Sequence, residues 1–439
     1  MAETGNLAFG SGDTPPAVAD RGWCLCLSGG GFRATLFHLG VVLRLNELGV
    51  LARLSTVTSV SGGSILNGVL ASRWARLTLG SDGVYTNLVE QVARPVRDFC
   101  SKDLRTPVLL GTRLNPANWG VLLRDWFSVS ANFLANGYEP LYRSWLSDLP
   151  APGPGAPRFV FCATNVRTGA CWHFHGGPQA RMGDFYAGYC DARHVRVSDA
   201  VAASSAFPPG FSAFRLRLPP DCEFSRGDPW GEQRVVSAKR GAERHGPEGQ
   251  PVLLTDGGVY DNLAVEPVWK TYNTLLVSDA GRPFESVSRS GQALITRLKR
   301  VADISMEQVA AVRKRWLVED FLAKRRTGAI WTLHTRLEDF PLANGRGYGP
   351  DARKLLHRVR TDLDAFTASE IACLENHGYS LADAALRSRA PALCPNLAAP
   401  FRWPNEEWCD DGQLSEALIA AHRRRILRDA VRYLTGRTP

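Results

Sequence analysis

Residues 22–49, GWCLCLSGGGFRATLFHLGVVLRLNELG, and residues 56–76, TVTSVSGGSILNGVLASRWAR, decide the fold. Gly22 to Ser28 is a short apolar run closed by glycines, which suits a buried strand. Cys24 and Cys26 alternate in it, so both side chains face one way as small buried apolar groups. From Phe32 to Gly49, Leu36, Leu39, Val42, Leu43 and Leu45 recur at helical spacing, and Gly49 is a stop signal. Thr56 to Val60 is rich in β-branched residues and reads as a second strand. Ser61 to Ser64 makes a tight turn, and Ile65 to Arg76 reads as a helix despite Gly68. Strand, glycine turn, helix, strand, Ser-Gly turn, helix: that order predicts a parallel α/β sheet.

Further along, the pattern is less regular. Residues 81–150 carry aromatic-rich helical pieces around Trp126, Phe127, Phe133, Tyr138, Leu141 and Trp145. Arg158 to Thr164 is a strand candidate, with Ala170 to His175 alternating like its hairpin partner. Val195 to Ser204 reads as a helix. Pro219 to Gln250 is polar, charged and rich in Gly and Arg, as an exposed excursion would be, with Arg234 to Val236 a short strand inside it. Pro251 to Thr255 and Tyr272 to Ser278 return to strand character. Ile295 to Arg326 is helical, Thr327 to Leu333 a last strand, and the remainder helical with loops.

Composition sets outer bounds. The chain has 439 residues, with 44% hydrophobic and 22% charged, enough apolar material for a large core. The net charge is 52 − 43 = +9, which permits an anionic partner without choosing one. Basic residues are spread along the chain without a nucleic-acid-binding signature, so no nucleic acid is expected. Met1 to Asp20 is polar and rich in Gly, Pro and Ala, a flexible segment without the features of a signal peptide. No stretch reaches the ~18 uninterrupted apolar residues of a spanning helix. Ten scattered cysteines do not form a secreted disulfide framework. A cytoplasmic location, with attachment to a membrane face, is the expectation.

Three short segments carry the chemistry. Ser61 stands at a strand-to-helix turn, where small neighbours allow a sharp bend and the next helix N-terminus offers a positive field. Ser59-x-Ser61-x-Gly63 is the nucleophile elbow with serine in place of its first glycine. Gly29, Gly30 and Gly31 end the first strand, and their N–H groups can converge on an oxyanion. The same glycines lack the spacing of a dinucleotide or P-loop motif. Arg33 either anchors that loop or attracts a lipid phosphate. Asp256, in Leu253-Leu254-Thr255-Asp256-Gly257-Gly258, is an acid at a strand end and can take the serine proton if it lies within reach. Asp261 and Asn262 shape the turn or cap the next helix. His38 reads as a packed residue. His173 and His175 share a strand face but lack a third metal ligand at motif spacing. His334, His357, His377 and His422 lie late in the chain without a strand-end setting. A Ser–Asp pair is favoured, with a triad left open.

Taken together, Gly29-Gly30-Gly31-Phe32-Arg33, Ser59-Val60-Ser61-Gly62-Gly63 and Asp256-Gly257-Gly258 resemble the patatin-like phospholipase family and its kin, the cytosolic phospholipase A2 catalytic domains. Ala163-Thr164-Asn165-Val166-Arg167-Thr168-Gly169 and Ala202-Ala203-Ser204-Ser205-Ala206-Phe207-Pro208 resemble two further family segments. The resemblance covers about residues 22–281. It implies a three-layer α/β/α fold with a mostly parallel sheet, a Ser61–Asp256 dyad and an oxyanion hole at Gly29, Gly30 and Gly31. Arg33, Gly63, Gly257 and Gly258 would support these. It also implies a metal- and cofactor-free acyl hydrolase acting on phospholipid through an acyl-Ser61 intermediate. Esterase, thioesterase or triacylglycerol lipase activity on the same dyad, or a non-catalytic lipid-binding role, are the alternatives.

An apolar groove for the acyl chain is expected near the elbow, with Val60, Ile65, Leu66, Phe207 and Phe211 as wall or simple core. The positive charge and the 12 tryptophans suit a peripheral enzyme on anionic lipid. Because the catalytic pieces must meet, residues 21–340 form one catalytic domain, with the 219–250 excursion on it and a helical extension at 341–439 packed against it. Oligomeric state is left unassigned.

Overall fold

The computed structural model describes residues 21–114, 130–208, 210–219, 222–225, 251–282, 284, 294–341 and 347–422. The N-terminal segment 1–20, Trp126, Phe127 and most of the 219–250 excursion, with its Arg234–Val236 strand, lie outside them. The strands are β1 (Trp23–Leu27), β2 (Leu54–Val60), β3 (Arg158–Asn165), β4 (Cys171–His175), β5 (Arg181–Asp184), β6 (Gly188–Asp191), β7 (Phe214–Leu216), β8 (Val252–Asp256), β9 (Thr274–Asp279) and β10 (Thr327–Thr332). The helices are α1 (Gly31–Glu47), α2 (Gly62–Arg73), α3 (Arg94–Cys100), α4 (Arg105–Leu114), α5 (Ser130–Tyr142), α6 (Val197–Ser204), α7 (Gly258–Asp261), α8 (Leu294–Leu322), α9 (Pro350–His357), α10 (Ala368–Arg389) and α11 (Asp411–His422).

One sheet runs β10-β9-β1-β2-β3-β4-β5-β6. Its first five strands are parallel and the β3-β4-β5-β6 side is antiparallel. The Ala170–His175 hairpin partner is thus realised as β4, while β5, β6 and β7 are short strands without an apolar run to announce them.

Strand alternation builds two cores. Leu25, Leu27, Phe159, Phe161 and Ala163 face a large cluster with α1, α2, α5 and α6. Cys24, Cys26, Val160 and Cys162 point the other way, toward Leu263, Val265, Val268 and Leu317. Helices therefore cover both faces, which is the three-layer arrangement. Among the described residues, no helix is long and apolar enough to cross a membrane.

The C-terminal helices belong to the large core. Leu374, Tyr379, Leu381 and Leu386 of α10 are buried in it. A Cβ on Gly40 of α1 would come within 1.8 Å of the Glu375 carbonyl oxygen, so the two helices touch backbone to backbone. Arg44, fully buried in α1, donates to Asp383 Oδ1 at 2.8 Å and to Tyr379 Oη at 3.0 Å.

Candidate active site

The site forms where two strands meet head-on along one edge of β3. β2 pairs with the lower half of β3 and ends at Val60, opposite Cys162. β8 enters from the opposite direction on the upper half and ends at Asp256, opposite Ala163. Ser61, one residue beyond β2, is therefore brought against the last residue of β8. The Ser61 hydroxyl lies close enough to the Asp256 carboxyl to favour its ionised form. Thr164 Oγ1 donates to the Asp256 carbonyl at 2.8 Å and holds this junction.

Ser61 adopts φ 50° and ψ −117°, a backbone state a non-glycine residue leaves unless its surroundings enforce it. Those surroundings are visible. Its N–H donates to Ser204 Oγ at 2.9 Å, and Ser204 Oγ donates to the Cys162 carbonyl at 2.6 Å. Behind the turn, Ser59 Oγ donates to the Val160 carbonyl and accepts from Ser64 Oγ and Asn67 Nδ2, both at 2.9 Å. The serine that replaces the elbow glycine is thus a buried, bonded part of the turn.

The glycine loop lies against this elbow. A Cβ on Gly62 would fall 2.1 Å from the Gly31 carbonyl oxygen and 2.9 Å from the Gly31 nitrogen, so the residue after Ser61 must lack one. Thr35 Oγ1 ties the two helices by donating to the Gly62 carbonyl at 2.8 Å. Gly30 at φ 140° turns the chain into α1. Among the described residues, the Gly30 and Gly31 N–H groups have no acceptor in the protein, and both stand at a helix N-terminus. The expected trio narrows here: the Gly29 N–H already donates to the Asn262 carbonyl at 3.2 Å.

Asp256 is 2% exposed and Ser61 9% exposed. Burial pushes the Asp256 carboxyl up to about 7, opposed by the Gly258 N–H at 2.7 Å and by the Ser61 hydroxyl. Gly257 is needed for close approach, since its Cβ would meet the Cys162 carbonyl at 2.4 Å.

Arg33 is buried and donates to the carbonyls of Ala280 at 2.8 Å and Val359 at 3.0 Å, which anchors the loop. Gly63 packs where a Cβ would meet the Leu27 carbonyl at 2.5 Å, and Gly258 sits beside Asp256 and Asn262. Val60, Ile65 and Leu66 are fully buried core residues. Phe207 is 37% exposed, in the turn whose Ala206 carbonyl accepts the Asp256 N–H, and Phe211 is partly buried nearby.

His38 bonds Ser278 Oγ through Nδ1 at 2.8 Å and the Ser28 carbonyl through Nε2 at 3.0 Å. Among the described residues, no histidine bonds Ser61 or Asp256. His357 meets His334 edge-on and lies tilted against His377. No group of three or more His, Cys, Asp or Glu side chains could hold a metal among the described residues.

Two site neighbours lay beyond sequence reasoning. Ser204 is one serine among several. Asp362 comes from the loop between α9 and α10: its carbonyl accepts the Phe32 N–H at 2.9 Å, and its side chain forms an ion pair with Arg105. Nothing local in the sequence marks it.

A family model described as "Patatin-like phospholipase" matches residues 25–269, more than half of the 439. The chain belongs to the patatin-like phospholipase family. Among solved structures, this patatin-like chain is similar to human GIVD cytosolic phospholipase A2, at 13% identity and TM-score 0.39, covering 93% of this chain and 63% of that one. It is also similar to VipD from Legionella pneumophila, at 16% identity and TM-score 0.33, covering 83% and 66%. It spans under two thirds of either protein's length. A search of curated proteins finds no match.

Proposed function

We propose that this patatin-like protein hydrolyses fatty-acyl esters of phospholipids, as a phospholipase A or lysophospholipase, through an acyl-Ser61 intermediate. The observation that carries the reading is the junction of β2 and β8 on β3, which sets Ser61 beside a buried Asp256 whose carboxyl burial pushes up to about 7. A carboxylate of that basicity accepts a serine proton far more readily than an ordinary one, and it does so without an imidazole.

Ser61 Oγ attacks the ester carbonyl carbon while its proton passes to Asp256. The carbonyl oxygen becomes an oxyanion and accepts hydrogen bonds from the Gly30 and Gly31 N–H groups, whose orientation is set before reaction. Collapse of the tetrahedral species breaks the ester C–O bond. The proton held by Asp256 goes to the leaving oxygen, releasing lysophospholipid or alcohol. Water then gives a proton to Asp256 and attacks the acyl-Ser61 carbonyl; the C–Oγ bond breaks as Asp256 returns that proton to Ser61 Oγ, and the fatty acid is freed. The residues alone supply nucleophile, base and oxyanion donors, so the scheme calls on no cofactor.

Phe207 and Phe211, exposed or half-buried beside the Asp256 turn, are the groups we assign to the acyl chain; Val60, Ile65 and Leu66, fully buried, act as core. The substrate lies in a membrane, which makes the protein a peripheral one attracted by its +9 charge to anionic lipid.

The test is labelling with a serine-directed fluorophosphonate together with hydrolysis of phospholipid vesicles. Wild type is expected to label and to hydrolyse. Ser61→Ala is expected to do neither, and Asp256→Asn to lose hydrolysis. Labelling that survives Ser61→Ala would overturn the nucleophile, and full hydrolysis by Asp256→Asn the base.

A further inference from the structure

The longest helix overshoots the sheet it packs on. Near its C-terminal end, Arg326 donates to the Tyr272 and Trp269 carbonyls, just below the start of β9. Higher up, Lys314 pairs with Asp279, the last residue of β9, and Arg313 pairs with Asp261, close after Asp256. Lys314 to Leu322, about 12 Å of helix, with the turn through Arg326, thus spans the height of the sheet, about 20 Å for a six-residue strand. Leu294 to Arg313, about 30 Å more of helix, continues past the strand ends. Those are the C-terminal ends of the parallel strands, the same edge at which β1 leads into the glycine loop and β2 into Ser61.

This overhanging half is not dressed for water. Leu298 is 59% exposed, Val301 60%, Ile304 47% and Val309 40%. Leu298, Val301 and Val309 fall on one side of the helix, in line with Trp316 below. Phe284, 40% exposed, stands at the same end, with the Arg300 guanidinium 3.8 Å above its ring. Charge is ordered along the axis. Between residues 294 and 302 the charged residues of the helix are Arg297, Lys299 and Arg300, all basic. The acids Asp303 and Glu307 come after them, nearer the body. An apolar stripe whose outer end is cationic is what an anionic lipid–water interface accepts, and a neutral protein groove would not select for the arginines.

We infer that the overhanging half of α8, with Phe284, is the surface by which this protein docks on an anionic phospholipid bilayer, setting the Ser61 edge of the sheet toward the membrane. This rests on the hydrolase reading for its purpose and not for its test.

The test uses the full chain and two substrates: a soluble short-chain ester, and vesicles of phosphatidylcholine with or without phosphatidylserine. Vesicle pelleting is measured separately from hydrolysis. Wild type is expected to pellet with the phosphatidylserine vesicles. Leu298→Asp combined with Val301→Asp is expected to lower pelleting and vesicle hydrolysis by about tenfold or more. Hydrolysis of the soluble ester, and fluorophosphonate labelling, should stay at the wild-type level, which also shows the variant folded. Arg297→Gln with Arg300→Gln should remove the preference for phosphatidylserine while sparing the soluble ester.

The docking surface is overturned if the Leu298→Asp, Val301→Asp variant pellets like wild type. It is equally overturned if wild type pellets with neither vesicle, which would leave the stripe to a protein partner. Ser61→Ala should pellet normally. If wild type cleaves neither substrate yet pellets in this α8-dependent way, the hydrolase reading falls and the docking surface stands.

Discussion

Two strand ends of this sheet carry nearly the same sequence and opposite chemistry. β8 closes with Thr255-Asp256-Gly257-Gly258, and β9 with Ser278-Asp279-Ala280-Gly281. Each aspartate is buried, and each accepts the N–H two residues on, Gly258 at 2.7 Å and Gly281 at 2.8 Å. Burial pushes both carboxyls up. At Asp279, burial is outweighed by Lys314 at 2.6 Å together with the Gly281 N–H, and the pKa lies below the ordinary value. Among the described residues no cation stands against Asp256; the Ser61 hydroxyl and the Gly258 N–H are there, and it sits at about 7. An acid at a strand end is thus a structural ion or a base according to what reaches it from elsewhere in the chain.

The strongest way to break this comparison is to neutralise each acid in turn. Asp256→Asn should lower hydrolysis by about 10³- to 10⁴-fold, as loss of a catalytic base does, and Ser61→Ala by at least as much. Asp279→Asn should cost less than about tenfold in kcat. Equal losses at the two positions, measured by steady-state hydrolysis of a soluble ester, would erase the distinction.

Lys314→Met should convert Asp279 into a buried acid without its cation. Stability should drop by roughly 2–4 kcal/mol at neutral pH, read by denaturant unfolding. The sign follows from the depressed pKa: the wild-type pair contributes stability above the unfolded-state value, lost as pH falls through the folded-state value. In Lys314→Met that acid-side loss should disappear.

The activity profile sharpens the other side. Only ionised Asp256 can accept a proton, so kcat/KM should rise about tenfold per pH unit below its pKa of about 7 and level off above it. A profile flat from pH 5 to 8 would contradict that basicity.

The smallest effect is on folding. The Asp256 pKa of about 7 stands above its ordinary value of 3.8, so the folded state holds a proton longer than the unfolded chain. Its contribution to stability is full below the unfolded value and declines as pH rises through about 7. Asp256→Asn removes this decline and should be more stable than wild type at pH 8 by about 1–2 kcal/mol in the same unfolding measurement.

Much of the fold was legible because its signals are local. The apolar run 22–28, the 3.6-residue spacing of Leu36, Leu39, Val42 and Leu43, and the β-branched run before Ser61 announce β1, α1 and β2, which the structure contains. β5, β6 and β7 were not legible. They are three or four residues long, held by pairing with neighbours more than by their own apolar pattern. At the site, Ser61, the glycines and Asp256 stand out by residue type and position after a strand. Ser204 does not, because a serine in a run of small residues has no local mark of bonding an elbow 143 residues away. Arg33 was ambiguous for the same reason: whether it meets a phosphate or two carbonyls depends on where Ala280 and Val359 come to lie.

By itself the sequence determined the kinds of groups available and the elements that carry them: a serine on a Ser-Gly turn, glycines opening a helix, an acid closing a strand. Those follow from backbone preference and hydrophobic period, which act over a few residues. The tertiary structure alone decided that β2 and β8 arrive from opposite directions on one edge of β3, so that Ser61 and Asp256 meet. It also decided that Lys314 reaches Asp279, while among the described residues no cation reaches Asp256. Charge interactions depend on distance and burial, and both are set by how distant segments pack, not by the residues on either side.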